Sequence, residues 1–494
     1  MAKRVILAID QGTSGSKAVL FDTAGVILAR ATVPLESLYP SPGFVEQEPE
    51  EIIRTVVEAV RLAVNNYTSG GGEAADIVCC GISNQRETFL LWDGDGQPYS
   101  KAVVWQCKRS VQVCERLKAD DVEEELNRRT GLIIDPYFSG TKLVWLKENR
   151  GDIARAIGRS EVFFGTVDSW LLYRLSRERS YATDYTNASR TLFMNLNDLS
   201  WDSNMLSVLG LEGLRLPALH SSSSLFGHTD FDGILPEAVP ITGMIGDSHA
   251  AAFGEHCFDH GTAKATLGTG SSILMNAGPI RPMSTNGLVS TICWSAGERV
   301  DYALEGIIVS CGSTITWLRD QLGFFSESRE TEEIATSVPD NGGVCLIPAF
   351  AGLGAPYWKM DQRGLITGLT FGSGRAHIVR AGLESVAYQV KDVISTMEND
   401  AGRALTALRV DGGLTANDFV MNLMADLLGV SVEAIELTEA SALGAAFLAG
   451  LGAGVFGSIE EIAGISYNSV NYKPVKGRNS TAGYQMWKDQ IGRL

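Results

Sequence analysis

Residues 8–19, AIDQGTSGSKAV, join the end of one apolar stretch to the start of another through a short polar loop that contains glycine. VILAI at 5–9 precedes the loop and KAVLFD at 17–22 follows it, and both are typical of buried β-strands. The pattern predicts a strand, a tight loop and a second strand. Successive backbone N–H groups in such a loop can bind phosphate oxygens, because small residues let an anion approach the backbone closely.

The same pattern returns in the second half of the chain. Residues 262–276, TAKATLGTGSSILMN, again place a loop of glycine, threonine and serine between two apolar stretches. Gly12 and Gly268 are 268 − 12 = 256 residues apart, slightly more than half of the 494 residues. This recurrence indicates an internal duplication of one α/β unit. We therefore expect two domains, residues 1–250 and residues 251–494.

Helical and strand patterns alternate between these loops. Residues 49–66, PEEIIRTVVEAVRLAVNN, carry apolar side chains at helical spacing after an acidic start. IVCCGISNQ at 77–85 is typical of a strand that ends in polar residues, and LRVDGGLTANDF at 408–419 closes a strand and opens a helix. The alternation predicts an α/β fold. Three glycine loops that each follow an apolar strand favour a nucleotide site over ordinary turns.

Composition restricts the class of protein further. Hydrophobic residues make up 45% and charged residues 20% of the chain, which is typical of globular domains. The net charge is 41 − 58 = −17, which disfavours binding to nucleic acid or to anionic membranes. Eight scattered cysteines without a CxxC pair indicate reduced thiols, and no stretch approaches ~18 consecutive apolar residues. We expect a cytoplasmic protein that neither inserts into a membrane nor binds nucleic acid.

The order of the three loops along a duplicated chain resembles the superfamily of actin, hexokinase and the sugar kinases. Within it, further segments resemble the FGGY family of carbohydrate kinases, and among these the glycerol kinases most closely. Together with the loops they cover nearly the whole chain. These segments are NQRETFLLW (84–92), VVWQCKRS (103–110), GLIIDPYFSGTKLVWL (131–146), FGTVDSWLLY (164–173), TDYTNASRT (183–191), YALEGIIVSCGSTITWLRD (302–320) and PAFAGLGAPYW (348–358).

The resemblance implies a fold and an activity. The fold is a pair of actin-like (ribonuclease H-like) domains with a nucleotide cleft between them. The activity is ATP-dependent phosphorylation of a polyol hydroxyl, with the conversion of glycerol to glycerol 3-phosphate as the leading interpretation. ATP and Mg²⁺ are the implied cofactors, a small polyol or sugar is the implied substrate, and a homodimer or homotetramer is the implied assembly.

The resemblance also implies roles for individual residues. Asp247, in MIGDSHAA at 244–251, matches the catalytic base, which also contacts the substrate. Asp10 ends the first apolar strand, and we expect it to hold Mg²⁺ because this ion prefers oxygen ligands. The other substrate-binding positions are Arg86, Glu87, Trp105, Tyr137, Ser248 and Ser272. The nucleotide-binding positions are Thr13, Ser14, Gly15, Thr269, Gly312, Thr316, Gly413 and Asn417.

Two positions of the substrate pocket depart from the glycerol kinase pattern. Ser248 stands where the family has an amide, and Ser272 stands where it has an aromatic residue of the polyol pocket. Loss of an aromatic wall predicts a roomier and more polar pocket, in which a longer substrate reaches His249. The alternative substrate is therefore another polyol or a ketose, such as a tetritol, a pentitol or a xylulose-like sugar.

A different class of function is a non-catalytic, actin-like nucleotide-binding protein. Such a protein needs the nucleotide loops alone. The chain also retains Asp247 together with Arg86, Glu87 and Tyr137, which a scaffold would not need. This combination favours an enzyme.

Overall fold

Two large β-sheets organise the part of the chain that the computed structural model describes, which is residues 3–475 and 481–494. The strands are β1 (Val5–Gln11), β2 (Gly15–Phe21), β3 (Ile27–Pro34), β4 (Glu46–Gln47), β5 (Ile77–Asn84), β6 (Phe89–Trp92), β7 (Ala102–Val103), β8 (Phe163–Thr166), β9 (Ala182–Asp184), β10 (Met194–Asn195), β11 (Ser200–Trp201), β12 (Ala218–His220), β13 (Gly227–Thr229), β14 (Val239–Gly246), β15 (Thr262–Leu267), β16 (Ser271–Gly278), β17 (Val289–Ala296), β18 (Arg299–Ile308), β19 (Cys345–Ile347), β20 (Leu365–Thr367), β21 (Ala407–Asp411), β22 (Val432–Ile435) and β23 (Ser469–Tyr472).

Helices lie between these strands along the chain, with two further 3₁₀ turns at Ala74–Asp76 and Gly413–Ala416. The helices are α1 (Pro49–Ser69), α2 (Val111–Ala119), α3 (Glu123–Thr130), α4 (Ser139–Asn149), α5 (Gly151–Gly158), α6 (Val167–Leu175), α7 (Tyr185–Ala188), α8 (Ser203–Val208), α9 (Asp247–Gly254), α10 (Gly312–Asp320), α11 (Glu330–Thr336), α12 (Arg375–Ala401), α13 (Asp418–Leu428), α14 (Ala440–Gly452), α15 (Ile459–Ala463) and α16 (Thr481–Ile491).

The two large sheets repeat one arrangement of strands. The first has the order β13-β14-β5-β1-β2-β3 and the second the order β17-β18-β16-β15-β21-β22-β23. In the first sheet, β3 and β1 are antiparallel to β2, while β5 is parallel to both β1 and β14. In the second sheet, β18 and β15 are antiparallel to β16, while β21 is parallel to both β15 and β22. Five consecutive strands thus match in order and direction, which supports the internal duplication indicated by the sequence.

Two short helices pack against each other between the sheets. α9 follows β14, and α14 follows β22, the equivalent strand of the second sheet. An added Cβ atom at Gly444 would lie 1.8 Å from the carbonyl oxygen of Ala250, so the two helices approach at backbone distance. Side chains of both helices and both sheets form one buried apolar cluster, which includes Ile6, Phe21, Phe253, Leu274, Trp294 and Phe447. Residue 250 lies within α9, and a division of the chain into 1–250 and 251–494 stays a prediction.

A smaller, four-stranded sheet belongs to the same half of the chain as the first large sheet. It has the order β4-β7-β6-β8, and side chains of helices α2 to α5 form one buried cluster with it. Its buried cluster contains Phe89, Val103, Phe138 and Phe164, and Trp105 and Tyr137 pack against this cluster from its edge. This subdomain therefore places both predicted aromatic substrate contacts next to the end of β5.

The cysteines are all buried and all free. In residues 3–475 and 481–494, no three or more His, Cys, Asp or Glu side chains are grouped so that they could hold a metal ion. Within the same ranges, no helix combines the length and the apolar character that crossing a bilayer requires.

Candidate active site

The first glycine loop, residues 12–15, connects β1 to β2 at the carboxyl end of β1. The Thr13 hydroxyl accepts a hydrogen bond from Trp105 Nε1 at 2.9 Å and donates one to Gln85 Oε1 at 3.1 Å. Ser14 beside it is exposed. The predicted phosphate loop is therefore joined directly to a predicted substrate residue.

The first and second loops have the same geometry. An added Cβ atom at Gly15 would lie 2.8 Å from the carbonyl oxygen of Val33 on β3. An added Cβ atom at Gly270 would lie 2.7 Å from the carbonyl oxygen of Ile308 on β18. Strands β3 and β18 hold equivalent places in the two sheets, so both loops turn closely against the same neighbour. Gly15 is thus required for the shape of the loop.

The second loop also holds the start of α10. The Gly312 N–H donates to the carbonyl oxygen of Gly268 at 2.8 Å, and the Ser313 N–H donates to that of Thr269 at 3.1 Å. The Thr269 side chain is exposed, as is Thr316 one helical turn further along. The structure thus brings Thr269, Gly312 and Thr316, all predicted nucleotide contacts, to one surface.

The third loop follows β21, which runs parallel to β15, so it lies at the same sheet edge as the second loop. An added Cβ atom at Gly413 would meet no other atom within 4 Å, which leaves open space beside the backbone. Asn417 is buried and caps α13: its Oδ1 accepts from the Val420 N–H at 3.0 Å, and its Nδ2 donates to Thr331 Oγ1 at 3.2 Å. Asn417 therefore has a structural role in addition to its predicted contact with the nucleotide.

Asp10 lies at the end of β1, between the first loop and the predicted base. Its Oδ1 accepts a hydrogen bond from Ser83 Oγ at 3.0 Å, and its Oδ2 lies 3.8 Å from Lys17 Nζ. Burial raises the pKa of Asp10 to about 6, with the charge of Asp247 adding to the rise and that of Lys17 opposing it. Mg²⁺ typically binds one or two carboxylates together with phosphate oxygens and water. Asp10 and Asp247 are two neighbouring carboxylates that fit this requirement.

Asp247 follows β14 and is the first residue of α9. Its side chain is 41% exposed, and its Oδ1 lies 3.2 Å from Arg86 Nε. The Ser248 N–H donates to the same oxygen at 2.6 Å. The carboxylate is therefore fixed at one oxygen and remains accessible from solvent, as a base that receives a substrate proton must be.

Arg86 is buried, and both of its terminal nitrogens have close partners. Besides Asp247, it contacts His249 Nε2 through Nη1 at 2.9 Å and Glu305 Oε1 through Nη2 at 2.8 Å. Arginine only donates, so His249 Nε2 accepts, and its Nδ1–H donates to the Cys293 carbonyl oxygen at 3.3 Å. Burial and the charge of Arg86 hold the pKa of His249 well below its ordinary value. His249 is 0% exposed, so the expectation that a longer substrate reaches it is wrong: its ring supports Arg86 from behind.

Glu87 lies in a strained conformation beside a second buried arginine. Its φ is +59°, a left-handed value that is uncommon outside glycine and is found at functional sites. Its Oε1 accepts from Arg190 Nε at 2.6 Å, and Arg190 Nη2 lies 2.8 Å from Glu305 Oε2. Burial raises the pKa of Glu87, and the charges of Arg190 and Arg86 oppose the rise. Arg190 and Glu305 both lie in segments that resemble the family, but neither residue was predicted to belong to the site.

The two serines that depart from the family pattern bind each other. Ser248 Oγ and Ser272 Oγ are 3.0 Å apart, and Ser272 Oγ also donates to Glu305 Oε1 at 3.2 Å. This bridge links α9 to β16 and satisfies both hydroxyl groups within the protein. The roomier pocket stays a prediction.

The aromatic wall rests on a buried lysine. The rings of Trp105 and Tyr137 meet edge to face with centroids 5.4 Å apart. Lys142 is 0% exposed, and its Nζ donates to the carbonyl oxygens of Tyr137 at 2.7 Å and Trp105 at 3.4 Å. Burial lowers the pKa of Lys142 to about 7, and the negative charge of Glu87 opposes the fall. One amine thus fixes the backbone behind both aromatic side chains.

The depressed pKa of Lys142 predicts how stability changes with pH. Between pH ~7 and ~10 the unfolded chain carries a proton on this amine that the folded chain lacks, so the free energy of unfolding rises with pH in this window. The free energy of unfolding of the wild-type protein should therefore increase relative to that of Lys142→Met, by up to about 1.4 kcal/mol for each pH unit. Urea denaturation of both proteins at pH 7, 8 and 9 measures the difference. Lys264→Met, which removes another buried lysine, is the control, and a pH-independent difference for Lys142→Met would contradict the expectation.

Comparison with known proteins agrees with this geometry along the whole chain. Residues 5–254 match the model of the N-terminal domain of the FGGY family of carbohydrate kinases, and residues 263–453 match that of the C-terminal domain. The chain is 46% identical to a glycerol kinase of Symbiobacterium thermophilum over 94% of its own length and 92% of that protein. It is 44% identical to glycerol kinase 2 of Thermotoga maritima over 99% and 98% of the two chains. The crystal structure of Plasmodium falciparum glycerol kinase with ADP superposes with a TM-score of 0.92 at 32% identity, over 99% of this chain and 98% of that one.

Duplicated sheets with paired glycine loops and a buried, charge-rich site between them define a two-domain phosphotransferase that acts on an alcohol group. The chain belongs to the FGGY family of carbohydrate kinases. The predicted family, fold class and enzyme class are confirmed, and the alternative of a non-catalytic nucleotide-binding protein is not supported.

Proposed function

We propose that this protein phosphorylates glycerol to glycerol 3-phosphate with ATP as donor. The observation that carries the proposal is the fixed, accessible carboxylate of Asp247, 3.2 Å from the buried Arg86. This pair lies in a chain that is 44–46% identical to glycerol kinases over nearly its full length. The ADP in the similar Plasmodium falciparum structure supports the assignment of an adenine nucleotide to the three loops.

The proposed roles follow from the position of each group. Asp247 accepts the proton of the attacking hydroxyl as that oxygen bonds to phosphorus. Arg86 and Glu87 offer a donor and an acceptor to adjacent hydroxyls, and the rings of Trp105 and Tyr137 cover the carbon chain. Ser248 and Ser272 close the side of the pocket that faces Glu305.

The nucleotide occupies the opposite wall of the cleft in this proposal. ATP supplies the phosphoryl group and leaves as ADP, and Mg²⁺ compensates the charge of its phosphates. Asp10 would hold the ion. The phosphate contacts are Thr13, Ser14, Gly15 and Thr269, and the adenosine contacts are Gly312, Thr316, Gly413 and Asn417.

The two halves of the chain divide this work. We assign the polyol and the first phosphate loop to residues 1–250, and the second phosphate loop and the adenosine to residues 251–494. A homodimer or homotetramer in the cytoplasm is the assembly and location we propose, by analogy with the family. The negative net charge of −17 supports a protein that does not bind nucleic acid.

Coupled measurement of ADP release tests the proposed substrate. The panel contains glycerol, dihydroxyacetone, glyceraldehyde, tetritols, pentitols and ketopentoses, each with ATP and Mg²⁺. We expect glycerol to give the highest kcat/KM, by about a hundredfold or more over every longer substrate, because a site that pairs hydroxyl groups discriminates strongly. Higher kcat/KM for a longer substrate would contradict the assignment to glycerol.

The second candidate is a kinase for a longer polyol or a ketose. The small side chains of Ser248 and Ser272, in place of an amide and an aromatic residue, favour it. In this case the two serines would form hydrogen bonds with a substrate hydroxyl in place of the 3.0 Å hydrogen bond that they form with each other. The same panel distinguishes the candidates.

A further inference from the structure

Glu305 lies on β18 of the second large sheet, yet it binds arginines that come from the first half of the chain. Its Oε1 lies 2.8 Å from Arg86 Nη2, and its Oε2 lies 2.8 Å from Arg190 Nη2. All three side chains are at least 95% buried. We propose that Glu305 is a positioning residue for the acceptor substrate, which fixes Arg86 and, through Arg190, Glu87. This inference rests on the proposed function.

The partners of the Arg86 guanidinium group explain why its orientation depends on the ion pair with Glu305. The guanidinium group has five N–H donors in one plane. Nε lies 3.2 Å from Asp247 Oδ1 without a hydrogen bond, and His249 and Glu305 each take one direction on a terminal nitrogen, at 2.9 and 2.8 Å. Two terminal donors remain for substrate hydroxyls. Among the three partners, Glu305 alone pairs its full charge with Arg86 away from solvent, since His249 is neutral and Asp247 is 41% exposed.

The charges of the buried network balance through Glu305. Arg86 and Arg190 are opposed by Glu87 and Glu305, which leaves Asp247 as an additional carboxylate for proton transfer. Burial alone would raise the pKa of Glu305, but the charges of Arg190 and Arg86 outweigh it and hold the pKa below its ordinary value. The group is therefore an anion at neutral pH. A neutral side chain here would leave the pair with Asp247, the base that the reaction needs, to balance the charge of Arg86.

An amide in this position cannot replace the carboxylate. A carboxylate accepts through both oxygens, whereas an amide accepts through one and donates through the other end. In Glu305→Gln, one of the two guanidinium groups would therefore face N–H donors. Oε1 faces Arg86 and Oε2 faces Arg190. One orientation of the amide therefore disturbs Arg86, and the other disturbs Arg190 and, through it, Glu87.

The experiment compares Glu305→Gln with Glu384→Gln. Glu384 is also buried in the second half of the chain, with Arg380 Nε at 2.9 Å and Asn341 Nδ2 at 2.7 Å, and it contacts none of the site residues. We expect Glu305→Gln to raise the KM for glycerol by about 10- to 100-fold, the effect of losing one hydrogen bond to a charged group, with the KM for ATP unchanged. Glu384→Gln should change neither. If Glu305→Gln does not fold, Glu305→Asp is measured in the same way and should show the same selective rise, because its side chain is one carbon shorter and cannot hold both arginines at their present distances.

The outcomes separate this inference from the proposed function. If the folded Glu305→Gln variant keeps the wild-type KM for glycerol, or raises both KM values equally, the positioning role is wrong while the kinase assignment stands. If the wild-type protein prefers a longer polyol, the assignment to glycerol is wrong. The KM for that polyol then replaces the KM for glycerol in the comparison. A rise in it without a rise in the KM for ATP still supports the role of Glu305. A wild-type protein that phosphorylates no polyol would overturn both.

Discussion

Replacement of Asp247 by asparagine should lower kcat by about 10²–10⁴-fold, the range that general acid–base groups contribute. Asparagine keeps the size of the side chain and an oxygen for the contact with Arg86 Nε, which is 3.2 Å from Asp247 Oδ1 in the wild-type protein. It cannot accept the proton of the attacking hydroxyl. The expected result is therefore a loss in kcat, with the affinity for ATP within about twofold of wild type. Steady-state ADP release gives kcat, and calorimetric titration with ATP gives the affinity.

A neighbouring substitution controls for general damage to the site. Ser248→Ala removes the hydroxyl bonded to Ser272 and leaves the carboxylate of Asp247 in place. We expect this variant to lose about tenfold or less in kcat/KM, the typical cost of one neutral hydrogen bond. If Asp247→Asn retains near-wild-type turnover, another group takes the proton. If both variants lose the same factor, the loss reflects disturbed structure at the start of α9.

Local patterns were sufficient to predict the framework of the site. The glycine loops after β1, β15 and β21 each follow a recognisable apolar strand, and the spacing of the first two indicated the duplication that the two sheets display. Asp10 and Gly413 could be selected because each follows an apolar strand, where side chains of parallel strands meet, whereas Asp247 was selected by its resemblance to the family's base. The strand order itself depends on contacts between residues far apart in sequence, so local patterns could not predict it.

The residues that sequence reasoning missed are those defined by pairing across the cleft. Arg190 and Glu305 are 305 − 190 = 115 residues apart, and they meet only when the second sheet packs against the first domain. One signal was available: Glu305 is a charged residue in YALEGII at 302–308, an otherwise apolar strand, and buried charges require partners. The partner could not be identified from sequence. His249 was misjudged for the same reason, because its burial depends on Cys293 and Arg86.

Arg190→Met should produce the largest loss of stability among the substitutions considered. It removes the arginine paired with Glu87 and one of the two arginines paired with Glu305, and an unpaired buried charge typically costs about 3–5 kcal/mol. Chemical denaturation at pH 7 measures the change in the free energy of unfolding. Arg128→Met, which breaks an exposed pair with Glu125, is the matched control and should cost less than about 1 kcal/mol.

The pH dependence and a second substitution distinguish lost charge pairing from lost packing. Without Arg190, the pKa values of Glu87 and Glu305 should rise in the folded state above those of the unfolded chain. The folded variant then binds more protons as the pH falls, so its deficit relative to wild type should shrink between pH 7 and pH ~5. Adding Glu87→Gln to Arg190→Met removes the carboxylate that has lost its arginine and should recover part of the lost stability, although Glu87→Gln alone is destabilising. A deficit that is the same at both pH values, with strictly additive losses in the double variant, would mean that Arg190 acts through its contact with Phe138 and not through its charge.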